Sequence, residues 1–201
     1  MPALLVPGEP VPVRLMNTVW ADRAGLHDDL ASADDLRAWL AATGGPEDRA
    51  EVPVDGGDLE RFRRLRDALR RLAAFQTADE REAAISPTRE VSRAVEDVNE
   101  AMALVPALPL LEVRGGVLGR RAAVEADAAA RRLSSVAIQA VELFTGSGRD
   151  LLRACHGPGC VLYFVKDHPR REWCSGGCGN RARAARHYAR RREERDGSRS
   201  S

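Results

Sequence analysis

The stretch WCSGGCGNRARAARHYARRR, Trp173–Arg192, decides how the rest of the chain is read. Cys174 and Cys178 open it, Gly179-Asn180-Arg181 follows directly, and six arginines occur before the first acid, Glu193. Just upstream stand Cys155 and Cys160, so the only four cysteines of the chain form the pattern C-x4-C-x13-C-x3-C within its last 47 residues. Structural zinc takes four thiolate or imidazole ligands in a tetrahedron, commonly as two close pairs from separate segments. Each pair here is close enough to clasp one ion. The HGPG between Cys155 and Cys160 reads as a tight turn, whose backbone amides can point at sulfur. Cys174 is expected to precede a helix and Cys178 to sit in its first turn, where the partial positive charge of the helix start favours a thiolate.

Between the pairs lies VLYFVKDHPRREW (161–173). Its apolar half suits a strand and His168-Pro169 suits a turn, so it is read as the arm of a hairpin. A turn-borne pair, a hairpin and a pair at a helix start make the arrangement of a treble-clef finger. The expected cofactor is one structural Zn2+ held by Cys155, Cys160, Cys174 and Cys178. His156, next to Cys155, is an alternative ligand. Four thiolates leave no open coordination position, which argues against a catalytic metal.

The segment after Cys178 has a pattern of its own. At 100° per residue, Arg183, Arg186 and Arg190 stack in one narrow sector with His187 beside them, while Ala182, Ala185 and Ala189 fill another. The small face is expected to pack on the zinc hairpin and the arginine face to point outward. A merely solvated helix would carry opposed charges at i,i+4; here none occurs until Glu193 and Glu194. Arginine binds phosphate bidentately and reads guanine through O6 and N7. The candidate DNA-contacting residues are therefore Asn180, Arg181, Arg183, Arg186, His187 and Arg190. Arg181 projects nearer the metal than the stripe does, and Asn180 has two readings, a base contact or a shaped joint.

Composition bounds the rest. The 201 residues are 44% hydrophobic and 4% aromatic, so aliphatic side chains and alanine must fill the core. The net charge of +1 conceals an asymmetry: residues 150–201 carry a net +6 and residues 1–149 a net −5. Lys166 is the only lysine, so arginine placement carries more meaning than arginine number. No run approaches the ~20 apolar residues of a membrane span. MPALLVPGEPVPVRL lacks a basic leader and holds four prolines, which makes a poor signal peptide. A cytoplasmic location with reduced thiols follows as the expectation. There is no GxSxG, P-loop or HExxH, and His27 in HDDL reads as part of a solvated loop, so no enzyme is expected.

In the N-terminal part, the alternation Val11, Val13, Leu15 reads as a short strand. Ser32, with Asp35 three residues on, caps a helix presenting Leu36, Trp39 and Leu40 and ending at Gly44-Gly45. Asp58 is expected to cap the next helix, whose stripe is Leu59, Phe62, Leu65, Leu69 and Leu72. Ser86-Pro87 reads as the start of a third helix burying Val91, Val95, Val98 and Met102. ALPLLEVRGGVLGR (107–120) centres on Gly115-Gly116 and reads as a β-hairpin. A long helix from about Ala122 to Phe144 follows, closed by TGSG, with a short helix from Arg149 to about Ala154 joining the two parts.

The segment from Cys155 to the basic helix resembles the CGNR zinc finger, matching at Cys155, Cys160, Cys174, Cys178, Gly179, Asn180 and Arg181. In that family the finger follows an N-terminal ABATE domain, in proteins described as stress-induced transcription regulators. VRLMNTVW and DDLASADDLRAWL resemble the opening of that domain, with Met16 where an aliphatic residue is usual. The resemblance implies a treble clef that binds DNA and an α/β body with a ligand-sensing role. The expected class is α+β: a mainly helical ABATE-like domain with a few short strands over 1–148, a treble-clef finger over 149–195, and a disordered tail over 196–201. Asn17 and Trp20, with Thr18 beside them, are the candidate ligand-contacting residues of the body. The functional expectation is a zinc-dependent DNA-binding transcription regulator, with DNA, a small-molecule effector and a second copy as candidate partners and no membrane. The alternative is an adaptor whose arginine face docks an acidic protein.

Overall fold

The computed structural model describes residues 8–44, 52–82, 86–105, 109–122 and 126–197. Among these, six α-helices and three two-stranded antiparallel hairpins follow in the order α1 (Val11–Met16), β1 (Val19–Asp22), β2 (Gly25–Asp28), α2 (Ala33–Thr43), α3 (Gly56–Thr77), α4 (Val91–Ala103), β3 (Pro109–Arg114), β4 (Val117–Ala122), α5 (Ala128–Thr145), a 3-10 turn (Arg149–Leu151), β5 (Leu152–Ala154), β6 (Tyr163–Val165) and α6 (Gly176–Gly197). The class is α+β, as the sequence implies.

α3 is the axis of the body. Leu59, Phe62, Leu65 and Leu69 are buried along its stripe, and α4, α5 and α1 pack around it. The short α1 lies deep, with Val13, Leu15 and Met16 fully buried. This segment is a helix, not the strand its alternation predicts. Pro12 stands in its first turn, where a missing N–H costs nothing, and Arg14 and Asn17 donate to Pro10 and Val13 four residues back. In so buried a segment apolar residues face every side, so a period of two does not identify a strand.

Helix starts divide between agreement and correction. Ser32 and Asp35 form the reciprocal capping box the sequence predicts. On α3 the cap is Asp55, with Asp58 in the third position of an equivalent box, so Asp58 supports the cap instead of being it. α4 begins at Val91, not at Ser86-Pro87: the Ser86 hydroxyl donates to Asp67 O at 2.6 Å and accepts from the Thr88 amide, which ties this turn to α3. The buried face of α4 is accordingly rotated to Ala94, Asp97, Val98 and Ala101, and Val95 is exposed. Small residues on that face let α4 approach α3 closely.

The β3–β4 hairpin turns at Gly115-Gly116, both at positive φ (60° and 81°), the geometry a two-residue hairpin loop requires. α5 starts at Ala128, capped by Asp127, so Ala122 belongs to β4. After α5 the expected short helix is only the 3-10 turn, and the chain enters β5. Leu152, Ala154 and Tyr163 of the last hairpin are members of the same buried cluster as α1, α3 and α5. The core therefore continues past residue 148 into the cysteine-bearing segment. Asp196 and Gly197 lie in α6; residues 198–201 of the expected tail fall outside the described residues, as do Gly45 and Pro46.

Candidate metal centre

The first cysteine pair sits in the loop that joins β5 to β6; the apolar half of 161–173 is a strand and the arm of a hairpin as expected, but its partner strand precedes the first pair and does not lie between the two. Gly157-Pro158-Gly159-Cys160 closes on a bond from the Cys160 amide to Gly157 O at 2.8 Å, with Gly159 at φ +70°. Pro at the second and a left-handed Gly at the third position is the pattern of a type II turn. Gly157 is needed for a different reason: a Cβ there would meet Cys178 Cβ at 2.9 Å, so the knuckle presses directly on the start of α6.

The second pair is positioned by α6. Ser175 precedes the helix and accepts from the Cys178 amide at 3.3 Å, which sets Cys178 in the first turn as expected. All four cysteines are buried, and their sulfurs lie within 4.8 Å of one another. A tetrahedron with Zn–S bonds of about 2.3 Å has S···S edges of about 3.8 Å. Cys160–Cys174 measures 3.8 Å and Cys174–Cys178 3.4 Å, and the Cys174 amide donates to Cys155 Sγ at 3.4 Å. The cage fits one structural zinc ion. His156 is exposed and stands outside the cluster, so the ligand set is the four cysteines.

The thiols polarise one another. Hydrogen bonding with Cys160 and Cys174 brings Cys155 down to about 7, and Cys178 is held low by its three neighbours. Cys160 and Cys174 are pushed up by the same contacts. Four thiolates at this spacing are compatible only with a cation among them, and a coordinating metal deprotonates its thiols outright. The Arg181 guanidinium donates to Cys178 Sγ at 3.0 Å, adding positive charge at the cage wall.

One buried and two half-buried arginines fasten this cage to the helical body. Arg81 donates to the carbonyls of both Cys155 and Cys160, each at 2.7 Å, and grips Asp79 with Nε and Nη2, also at 2.7 Å. Burial alone would raise the Asp79 carboxyl, but the bonds and charge of Arg81 hold it below the usual range. Burial pushes the Tyr163 hydroxyl up to about 12, so it remains a donor to Asp79. Arg70, fully buried, donates to Met16 O and Val161 O and lies over the Tyr163 ring. Arg171 pairs with Glu9, donates to Val165 O and Cys174 O, and covers the Phe164 ring. Composition hides this network, because these arginines look no different in sequence from exposed ones. The pairing of Asp79 with Arg81, two residues apart, is its one local signal.

The candidate ligand contacts of the body are occupied otherwise. Asn17 is buried; its amide donates to Tyr163 O and accepts from Tyr163 N, both at 2.9 Å. The Thr18 hydroxyl donates to Leu15 O. Trp20 stacks on His27 with centroids 4.1 Å apart and donates to Asp29, so HDDL is part of a hairpin and not a free loop. The structure thus corrects the ligand reading of Asn17: both ends of its amide hold β6, and it is a tether between α1 and the metal hairpin. Neither Asn17 nor Trp20 lines the polar groove between α3 and α4, whose walls include Arg64, Arg89 and Arg93.

Beyond the cage, α6 leaves the body. Ala182 is buried, but Ala185 and Ala189 are exposed, so the expected packing of the small face stops one turn past the metal. Arg183, Arg186, His187 and Arg190 are all exposed. Arg183 donates to Asn180 Oδ1, while Arg186, Arg190, Arg191 and Arg192 form no ion pair with any described residue. Tyr188, 71% exposed, stands among them. No helix among the described residues is long and apolar enough to cross a membrane.

Comparison with known families agrees with this architecture. The family model ABATE, described as "Putative stress-induced transcription regulator", matches residues 9–147, and the CGNR zinc finger model matches residues 152–191. Neither description names an enzyme. Among curated proteins none matches significantly. With the first model spanning well over half of its length, the chain belongs to the ABATE family and carries a CGNR zinc finger after that domain.

Proposed function

We propose that this zinc-binding regulator acts on DNA, with the zinc cage holding the first turn of α6 and the helix beyond it laid against the phosphate backbone. One observation carries the reading: residues 183–192 of the helix are all exposed, and their arginines have no acidic partner among the described residues. A cationic helix held at one end by a rigid anchor is suited to an extended anion, and the phosphate backbone is such an anion. Arg183, Arg186 and Arg190 share one side and supply the main contacts, His187 flanks them, and Arg181 serves the cage. The Asn180 carbonyl, occupied by Arg183, shapes the joint between cage and helix.

The test is fluorescence anisotropy with a random-sequence duplex, followed by sequence selection from a pool. Removing one arginine from a phosphate weakens binding uniformly across sequences and lowers the salt slope by about one. Arg183→Ala with Arg186→Ala is expected to weaken binding at least about tenfold and reduce the slope by roughly two, with zinc content unchanged. A double variant that keeps its zinc and binds DNA as the wild type does would sink the proposal.

A further inference from the structure

Among the described residues the β3–β4 hairpin contributes nothing to the buried core. Its strands pair with each other over Pro109–Arg114 and Val117–Ala122 and belong to neither buried cluster. Leu111, Val113 and Leu118 share one face by register and are 76%, 70% and 67% exposed. A two-stranded hairpin alone is marginal in water, and three or more strands are the usual remedy.

The outer edge of β3 is complementary to itself. A two-residue turn closes on a hydrogen-bonded pair, so Arg114–Val117, Glu112–Gly119 and Leu110–Arg121 exchange the inner bonds. The amides and carbonyls of Leu111 and Val113 then point outward. Set two copies of β3 antiparallel about Val113. Val113 then meets its own counterpart in a position that exchanges both hydrogen bonds, and the shared ladder runs over 112–114, because the chain turns away at Gly115. Glu112 falls opposite Arg114 of the other copy, twice, in the closely spaced non-bonded positions where side chains interact most. Within one chain these two residues already pair at 3.1 Å, so the carboxylate and guanidinium are available on that face. Moving the axis to Glu112 would put like charges together. β4 contains no acidic residue, so its edge offers no such match.

We propose that this protein forms a two-fold dimer through the tip of the β3 edge, joining two hairpins over residues 112–114 about Val113 with reciprocal Glu112–Arg114 pairs. The three apolar side chains of each copy then form one continuous patch across the joint. Each α6 is presented by its own copy, so dimerisation is independent of whether α6 binds DNA.

The zinc-loaded full chain is tested by sedimentation over a micromolar dilution series. The wild type is expected at twice its 21.9 kDa. Val113→Pro removes an outward N–H and leaves the inner ladder bonds in place; it is expected to be monomeric with unchanged zinc content and helicity. Glu112→Arg and Arg114→Glu each place like charges across both contacts and are expected to weaken the dimer about tenfold or more. Mixing these two variants restores both cross-chain pairs while leaving each chain's own 112–114 pair mismatched, so a recovered heterodimer isolates the interface. A monomeric wild type at every concentration overturns the proposal, as does a mixture no tighter than its components. Should Val113→Pro fail to fold, the mixture decides the matter.

Discussion

Arg81→Ala is the sharpest perturbation of the link between metal and body. The substitution strips Asp79 of a two-pronged partner, and the Asp79 side chain is wholly buried. It also frees the carbonyls of Cys155 and Cys160, both on buried residues. Removing one partner of a buried pair costs about 3–5 kcal/mol, because the other charge remains without compensation. The lost carbonyl bonds add to this, each worth about 1–3 kcal/mol if left unmade, though water reaching the site offsets part of the cost. A total of about 3–5 kcal/mol is therefore a minimum for a rigid structure. For a chain of this size each kcal/mol lowers Tm by roughly 2–4 °C, so a fall of about 6–20 °C is expected. Because the two carbonyls belong to zinc ligands, zinc should also pass faster to a competing chelator. Calorimetry of the zinc-loaded protein and a colorimetric metal-transfer assay measure the two effects. Asp79→Asn combined with Arg81→Ala should cost clearly less than the sum of the single changes, since the orphaned charge is gone. A Tm loss under about 2 °C with unaltered zinc transfer would refute the idea that Arg81 holds the knuckle to the body.

Other outcomes follow from the same geometry. Zinc removal should lower the melting temperature of the whole chain and leave a single transition, because Leu152, Ala154 and Tyr163 are part of the body's core; calorimetry with and without chelator checks this. Gly157→Ala should weaken zinc binding by driving a Cβ against Cys178. By contrast, Gly159→Ala, which has open space but a left-handed backbone, should cost about 1 kcal/mol of stability. The stability advantage of wild type over Asp79→Asn should hold from neutral pH down to the ordinary aspartate range near 4 and then shrink as pH falls through the depressed folded value. Denaturant melts of both proteins across that range measure it.

What the sequence reveals and what it hides divide along a physical line. Features set by a few neighbouring residues are legible: the Ser32–Asp35 cap, the Gly115-Gly116 turn, the stripe of α3, the paired cysteines. These depend on local spacing, and spacing is all a sequence displays. The start of α4 is illegible because Ser86 bonds to a carbonyl on α3, 19 residues away. Asn17 is misread because its partner, Tyr163, is 146 positions distant. Arg70, Arg81 and Arg171 resemble any surface arginine until the fold buries the first and half-buries the other two. The helix that carries the arginines is read correctly, yet where it parts from the body depends on how far the cage extends, and that only packing decides.

The tether at Asn17 has a consequence for how the protein survives at high concentration. The side of β6 that faces away from β5 would normally offer itself to any passing strand. Here Asn17 takes the amide and carbonyl of Tyr163, Glu9 takes the amide of Val165, and Arg171 takes its carbonyl. Three side chains stand in for a missing strand, and a carboxamide suits position 17 because it donates and accepts from two separate atoms, as a backbone amide and carbonyl side by side require. Asn17→Asp would turn the donor into a second acceptor facing the Tyr163 carbonyl. The rim beside the metal is thereby sealed against growth into larger sheets.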